Sequence, residues 1–202
     1  MEKLSTIFSK IRKTTYTHLE QETASYWYSK DGNTLTIYFE WSNGKTDWKN
    51  NLDFPAKAYR NMSNKWYAHR GFLKVWKVIE PDLMGAITDP DIKVINIAGY
   101  SHGAAIALLC HEYCLFHRSD CEVVGVGFGC PRVIWGFLRK PVKKRFEGFV
   151  VVRNKRDIVT HVPPAIFGYR HPGDMLKLND GVYCNSIDAH RATEYTKALN
   201  KY

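Results

Sequence analysis

Residues 93–109 read KVINIAGYSHGAAIALL, and the run changes character at its centre. The first half is apolar and typical of a buried strand, whereas the alanine-rich second half is typical of a helix. Between them stands Gly99-Tyr100-Ser101-His102-Gly103, a G-x-S-x-G sequence in the strand-to-helix context of a nucleophile elbow. The turn is so tight that a side chain at 99 or 103 would crowd it. We therefore predict a nucleophile elbow at 99–103, with Gly99 and Gly103 as its required glycines.

The elbow lifts Ser101 above the carboxyl end of its strand. The backbone N–H of His102 lies at the helix N-terminus, facing the place where an oxyanion would develop. A serine hydroxyl is a weak nucleophile until a histidine takes its proton and a carboxylate orients that histidine. The chain after Ser101 should therefore supply an acid and a base.

Asp157 is the predicted acid because it closely follows a predicted strand, at the strand end where the acid belongs. Three histidines come later in the chain. His161 lies in a proline-restricted loop and is expected to brace it, and His171 also precedes a proline. His190 lies just before the last helix, on a separate segment that can approach Ser101 from the far side. We predict Ser101, Asp157 and His190 as the catalytic residues.

The length of 202 residues and a hydrophobic fraction of 45% suit a single domain, 1–202, with a substantial core. The first residues lack the apolar centre and cleavage site of a secretion signal, and we find no run of about eighteen apolar residues. On that basis we expect a cytoplasmic protein whose five cysteines are reduced. Cys110 and Cys114 lie one helical turn apart without a C-x-x-C pair, so we expect buried thiols and no metal site.

The net charge of +9 comes from 29 basic and 20 acidic residues. No nucleic-acid-binding motif accompanies it, so a solvated basic surface is the plain interpretation and no nucleic-acid partner is expected. The partner that this charge favours is an anionic membrane surface, with a weak attraction centred on the basic residues of 139–145. The oligomeric state is not indicated.

The rest of the chain alternates predicted helices and strands. A helix is expected within residues 1–22, and a hairpin at 25–41 turns at Asp31-Gly32-Asn33. The helix before the elbow should end or bend at Pro81 or Gly85. A second hairpin is expected around the Asn-Asp-Gly turn at 179–181. This alternation predicts an α/β fold with a mostly parallel central sheet flanked by helices.

Several spaced motifs between residues 35 and 200 resemble those of the class three lipases, the fungal-lipase-like branch of the α/β-hydrolases. FEWSNGKTDW at 39–48 resembles the family's oxyanion loop, and GYSHGAAIALL resembles its G-H-S-L-G-G-A-L-A elbow. Further similar segments are AHRGF at 68–72, FGCPRV at 128–133, DIVTHVPP at 157–164, YRHPGDMLKL at 169–178 and DAHRATEY at 188–195. The resemblance implies an α/β-hydrolase fold.

The resemblance also implies the triad of the positional argument and adds two donors to an oxyanion hole. The first is Ser42, through its backbone N–H and its hydroxyl, and the second is the backbone N–H of His102. Glu40-Trp41 replaces the family's Arg-Gly, so the loop that presents Ser42 lacks the usual backbone freedom. His69 and His161 take structural roles.

The predicted function is hydrolysis of carboxylic ester bonds in acyl lipids or small acyl esters, through an acyl-enzyme on Ser101. A phospholipase or a thioesterase would use the same machinery, and a binding module can keep the fold without catalysis. No metal or organic cofactor is implied. Secreted members of the family carry a lid helix that corresponds to 50–65, where this chain has Pro55 and about two helical turns at most. We therefore predict no full lid.

Overall fold

The structure is a computed structural model that describes residues 2–19, 25–40, 55–59, 66–136, 140–178 and 187–202. The described α-helices are α1 (Leu4–Lys13), α2 (Arg70–Ile87), α3 (His102–His117), α4 (Lys140–Arg145) and α5 (Ala192–Leu199). Short 3-10 helices cover Ile158–His161, Ala165–Phe167 and Asp188–His190. The described strands are β1 (Thr17–His18), β2 (Ser25–Asp31), β3 (Thr34–Phe39), β4 (Ala56–Tyr59), β5 (Trp66–His69), β6 (Val94–Tyr100), β7 (Glu122–Phe128), β8 (Ile134–Trp135), β9 (Phe149–Asn154), β10 (Tyr169–Arg170) and β11 (Asp174–Leu178).

The main sheet has the order β1-β2-β3-β6-β7-β9-β11. The five strands from β3 to β11 in this order run parallel, and β1, β2 and β3 pair antiparallel at one end. The β2–β3 hairpin turns at Gly32, whose φ is +56°. The predicted parallel sheet with an amino-terminal hairpin is therefore confirmed.

Helices cover both faces of this sheet and form two separate cores. On one face α2 and α3 pack against Leu35, Ile37 and Ile97, all fully or almost fully buried. On the other face α1 and α5 pack against the alternate side chains of the same strands, such as Tyr38 and Ala98. Because side chains alternate between the faces of a strand, β6 contributes to both cores, and its residues are accordingly apolar apart from Asn96.

A small antiparallel sheet lies beside this layered body, with the order β10-β8-β5-β4. Tyr67 of β5 pairs with Trp135 of β8, which pairs in turn with Tyr169 of β10. The sequence patterns did not predict this sheet, because strands of two residues are too short to show an alternation. Among the described residues, no helix combines the length and apolarity that a membrane crossing requires.

Two local expectations differ from the structure. The amino-terminal helix ends at Lys13, and the β-branched and aromatic residues that follow lead into the short strand β1. Helix α2 runs through Pro81 and Gly85 to Ile87. Ile79 and Leu83 on either side of the proline are fully buried, and this packing outweighs a local cost of about 3 kcal/mol.

The hairpin predicted around 179–181 stays a prediction, because its second strand lies outside the described residues, and its first strand is β11. It pairs with β9 in parallel, with Asp174 beside Val150 and Leu178 beside Asn154, and so extends the main sheet. Residues 179–186 lie outside the described residues. Of the stretch 50–65, only 55–59 are described, and they lead into strand β4 rather than a helix, so the prediction of no full lid stays a prediction.

Candidate active site

The predicted elbow has the strained geometry that its sequence requires. Ser101 connects β6 to α3 with φ 56° and ψ −119°, a left-handed value of φ that side-chain-bearing residues rarely adopt. Its N–H donates to the carbonyl of Phe128, with N and O 2.8 Å apart, which fixes the turn against the end of β7. A side chain at Gly99 would lie 2.3 Å from the carbonyl oxygen of Gly103, and one at Gly103 would lie 2.3 Å from that of Phe39. Both glycines are therefore required by close backbone approach.

The structure brings together the three residues predicted as a triad. His190 Nε2 lies 2.8 Å from Ser101 Oγ, and His190 Nδ1 lies 2.8 Å from Asp157 Oδ2. Ser101 follows β6, Asp157 follows β9, and His190 lies in a 3-10 helix before α5. The imidazole thus bridges hydroxyl and carboxylate, and with Nδ1–H donating to Asp157, Nε2 is left to accept the serine proton.

Asp157 is fully buried, and its carboxylate accepts hydrogen bonds from other groups besides His190. Its Oδ1 accepts the backbone N–H of Val159 at 2.9 Å, which makes Asp157 the cap of the 3-10 helix that follows. Its Oδ2 accepts from the hydroxyl of Tyr195 at 2.7 Å as well as from His190. Burial, with the charge of Asp157 nearby, raises the pKa of Tyr195 well above its usual range, so the phenol stays a donor.

Gly129 fills the narrow space behind the triad. A side chain there would lie 2.9 Å from His190 Cε1 and 3.0 Å from Asp157 Oδ2. Its φ of +60° also favours glycine, and its N–H donates to the carbonyl of Val152. Only a residue without a side chain leaves room for both triad members.

Tyr100 supports the histidine from beside the nucleophile. Its ring stacks on the imidazole of His190 with centroids 5.3 Å apart, and its hydroxyl donates to the backbone carbonyl of His190. The tyrosine therefore fixes both ring and backbone of the base. The sequence comparison marked Tyr100 only as a departure from the family's elbow, and neither Tyr195 nor Gly129 was predicted.

The oxyanion-hole candidates are only partly described. His102 opens α3, where a helix leaves backbone N–H groups to other partners, and its buried ring packs edge-on against Phe72 with centroids 5.4 Å apart. Ser42 lies outside the described residues. Its predicted role therefore stays a proposal.

The other histidines occupy structural positions in this geometry. His161 Nδ1 lies 3.0 Å from the carbonyl of Asp157 and His161 Nε2 lies 3.3 Å from Arg153, so the ring braces the loop. His69 is fully buried and stacks on Phe72, 4.1 Å between centroids. His171 Nε2 donates to the carbonyl of Thr160 at 2.7 Å, and burial lowers its pKa to about 4.

No group of three His, Cys, Asp or Glu side chains in the described ranges is placed to hold a metal ion. Cys110 and Cys114 are fully buried in α3 with their sulfur atoms 4.0 Å apart, and both are free thiols. They lie inside the core formed by α2 and α3. Their packing is that of small apolar residues.

Comparison with known proteins identifies related chains. The family model for Lipase (class 3) matches residues 36–167. A lipase from Rhizomucor miehei is 31% identical over 156 residues, 73% of this chain and 42% of that protein. A secreted mono- and diacylglycerol lipase from Fusarium solani is 26% identical over 140 residues, 67% of this chain and 41% of that protein. The chain thus spans less than half the length of these relatives.

Solved structures of related proteins show the fold of this chain. The structure of Rhizomucor miehei triacylglyceride lipase superposes with a TM-score of 0.69 at 23% identity, over 82% of this chain and 66% of that one. The α/β-hydrolase fold is therefore shown. The prediction of a cytoplasmic location is contradicted, because relatives from Fusarium solani and Malassezia globosa are named as secreted lipases.

Proposed function

Because the chain belongs to the class 3 lipase family, we propose that it is a serine hydrolase that cleaves carboxylic ester bonds of acyl lipids. The observation that carries the proposal is the His190 bridge, with 2.8 Å to Ser101 Oγ on one side and 2.8 Å to Asp157 on the other. These are hydrogen-bond distances between a nucleophile, its base and the group that orients the base. The strained backbone of Ser101 supports the same interpretation.

The chemistry follows from which atoms can move a proton. Ser101 Oγ attacks the ester carbonyl while His190 Nε2 takes the hydroxyl proton, and the imidazolium formed is stabilised by the buried carboxylate of Asp157. The tetrahedral intermediate collapses as the C–O bond of the alcohol breaks and His190 returns the proton to the leaving oxygen. Water then attacks the acyl-enzyme with His190 again as base, which releases the acid and restores Ser101.

The negative charge of the intermediate needs donors that are already in place. We assign one to the backbone N–H of His102, at the amino end of α3, where the helix dipole adds to the attraction. The second donor is proposed to be Ser42, by analogy with the family's oxyanion loop. Each such donor is worth about a hundredfold to a thousandfold in kcat.

We propose an acyl lipid as substrate and an anionic lipid surface as a weak partner, since the chain carries a net charge of +9. The relatives from Fusarium solani and Malassezia globosa are named as secreted, and we infer secretion for this protein too.

The test is hydrolysis of p-nitrophenyl esters from acetate to palmitate, with active-site labelling by a fluorophosphonate probe. Ser101→Ala should lose turnover on the order of a millionfold and should not be labelled, because the attacking oxygen is gone. Thr160→Ser, a conservative change of a buried hydroxyl outside the triad, is the control and should be labelled like wild type. Full labelling of Ser101→Ala would refute the proposal.

A further inference from the structure

A cavity of about 800 Å³ lies on the α1 face of the main sheet. Residues of α1 form one wall, and strands β2, β3, β6 and β7 form the floor. In β6 the cavity reaches Asn96 and Ala98, whereas Ser101 follows the carboxyl end of that strand. Asn96 and Ser101 are separated by about 16 Å of extended chain. The cavity is therefore a separate site from the candidate triad, and its volume suits a small-molecule ligand.

The floor of the cavity carries a row of polar side chains across three neighbouring strands. Asn96 of β6 pairs with Thr36 of β3, and Thr36 pairs with Ser29 of β2. Neighbouring strands lie about 4.8 Å apart, so an amide and two hydroxyl groups follow one another at that interval. On the other face of β6, Ile95 and Ile97 belong to the core under α2 and α3. The polar row thus belongs to the α1 face alone.

The side chains of Ser29, Thr36 and Asn96 make no hydrogen bond within the described part of the chain. Thr36 and Asn96 are half-buried, and asparagine is uncommon in strands. A half-buried amide lowers stability unless water or a ligand completes its hydrogen bonds. Packing alone would favour apolar side chains at these positions. The row is therefore suited to hydrogen bonding with a bound molecule.

Aromatic and aliphatic surface borders the polar row. The indole of Trp27 stacks on the ring of Tyr38, with centroids 5.1 Å apart, and both residues line the cavity together with Ile7 of α1. The charges around the cavity nearly cancel, because two lysines and three carboxylates line it, and Lys10 is paired with Glu2 at 2.7 Å. The cavity therefore combines neutral hydrogen-bonding groups with aromatic surface and has no excess of positive charge.

We propose that this cavity binds a neutral oligosaccharide. Sugar hydroxyls supply donors and acceptors for Ser29, Thr36 and Asn96, and the C–H face of a sugar ring packs on aromatic surface. The wall helix α1 has ten residues and is about 15 Å long, so it can border several linked rings. A fatty acid would leave the polar row unpaired, and a phosphate would need an excess of positive charge.

The inference goes beyond the proposed function and does not depend on it. A sugar in the cavity leaves the carboxyl edge of the sheet, where the triad lies, open to an ester. Ser101→Ala should therefore bind sugar like wild type. Failure of the esterase proposal and failure of the sugar site are thus seen in separate measurements.

The experiment is a nuclear magnetic resonance titration of the full chain with four neutral trisaccharides: maltotriose, cellotriose, xylotriose and mannotriose. At least one should shift the Asn96 side-chain amide and the Trp27 indole N–H signals in a saturable way. Thr36→Val and Asn96→Leu keep the approximate shape and remove the hydrogen-bonding groups, and each should weaken that affinity severalfold to about tenfold. The matched control is Thr34→Val, a half-buried threonine of the same strand outside the cavity lining, which should bind like wild type.

Circular dichroism checks that each variant is folded. The absence of a saturable shift with all four sugars would overturn the proposal. Wild-type affinity in both Thr36→Val and Asn96→Leu would overturn it too, as would equal losses in Thr36→Val and Thr34→Val. Decanoate is the competing probe, and saturable shifts of the same signals with decanoate but with none of the sugars would assign the cavity to an acyl chain instead.

Discussion

Gly129 shows how the triad depends on a residue that takes no part in proton transfer. We predict that Gly129→Ala lowers kcat for p-nitrophenyl butyrate by about a hundredfold or more, because its Cβ, 2.9 Å from His190 Cε1, displaces the base. Gly32→Ala is the matched control, since Gly32 has a similar φ of +56° and its Cβ would meet nothing within 4 Å. Similar kcat losses in both variants would show that backbone strain, and not displacement of the base, is responsible.

Single substitutions also test whether His190 or His161 is the catalytic base. Asp157→Asn should lower turnover by roughly ten-thousandfold, because the imidazole would be held in the wrong tautomer. His161→Ala should mainly lower the free energy of unfolding, since its ring braces the loop after Asp157. Turnover by each purified variant, with circular dichroism to check folding, is the measurement. A folded but inactive His161→Ala beside an active His190→Ala would reverse the assignment.

The positions of Ser101, Asp157 and His190 could be predicted because each depends on local sequence. The elbow is contiguous, the acid follows a strand, and the base precedes a helix. Tyr195 and Gly129 could not be predicted this way, because their roles arise only when distant strands and helices meet. Tyr195 lies five residues after His190, in α5, and its hydroxyl reaches a carboxylate 38 residues earlier in the chain. A tyrosine in an amphipathic helix otherwise indicates only packing.

At the scale of elements, α3 and α4 are joined by a buried ion pair. Glu112 is fully buried in α3, and Arg145 of α4 donates to both of its carboxylate oxygens, at 2.7 and 3.0 Å from Nε. Burial raises the pKa of Glu112 from 4.5 to about 7, against the opposing effect of Arg145. The folded protein therefore retains this proton over a pH range in which the unfolded chain has lost it.

The sign of the stability effect follows from that difference. Because Glu112 binds its proton more tightly in the folded state, its contribution to the free energy of unfolding should fall as pH rises from about 4.5 to about 7, by about 3 kcal/mol at most. His111 and His171 act in the opposite direction over nearly the same range, because burial lowers the pKa of each from 6.5 to about 4 and the unfolded chain then binds more protons at these groups. Urea unfolding at pH 5 and pH 8 is the measurement. The free energy of unfolding should therefore rise more from pH 5 to pH 8 in Glu112→Gln than in wild type or in the exposed Glu147→Gln variant. An equal change in wild type and Glu112→Gln would contradict the assignment.

Elements with a long, regular pattern were predictable, and those decided by distant contacts were not. The β6–α3 unit and the β2–β3 hairpin follow from contiguous sequence. Helix α2 continues past Pro81 because the residues around it are buried, and this burial cannot be inferred from the local sequence. β11 joins the sheet because its backbone pairs in parallel with the edge of β9. The small second sheet depends on three separate segments that meet only in the folded chain.

At the scale of the whole molecule, the candidate triad lies at the carboxyl edge of the main sheet, as expected when parallel strands all end on one side. The loop after Asp157 exposes the apolar side chains of Ile166 and Phe167, and α4 exposes the charges of Lys143 and Lys144. Apolar side chains and charge should contribute separately to lipid binding.

Salt separates the two contributions. Lys143→Gln combined with Lys144→Gln removes two exposed charges from α4 and should weaken binding to anionic vesicles roughly tenfold or more at about 0.05 M salt, but hardly at about 0.5 M. The Ile166→Ser and Phe167→Ser pair should weaken binding at both concentrations, because removal of apolar surface from water does not depend on screening. Lys74→Gln combined with Lys201→Gln, also exposed, is the control for net charge. Wild-type binding that does not change with salt would show that α4 is only a solvated basic face, whereas equal effects of both lysine pairs would assign the attraction to the net charge of the molecule.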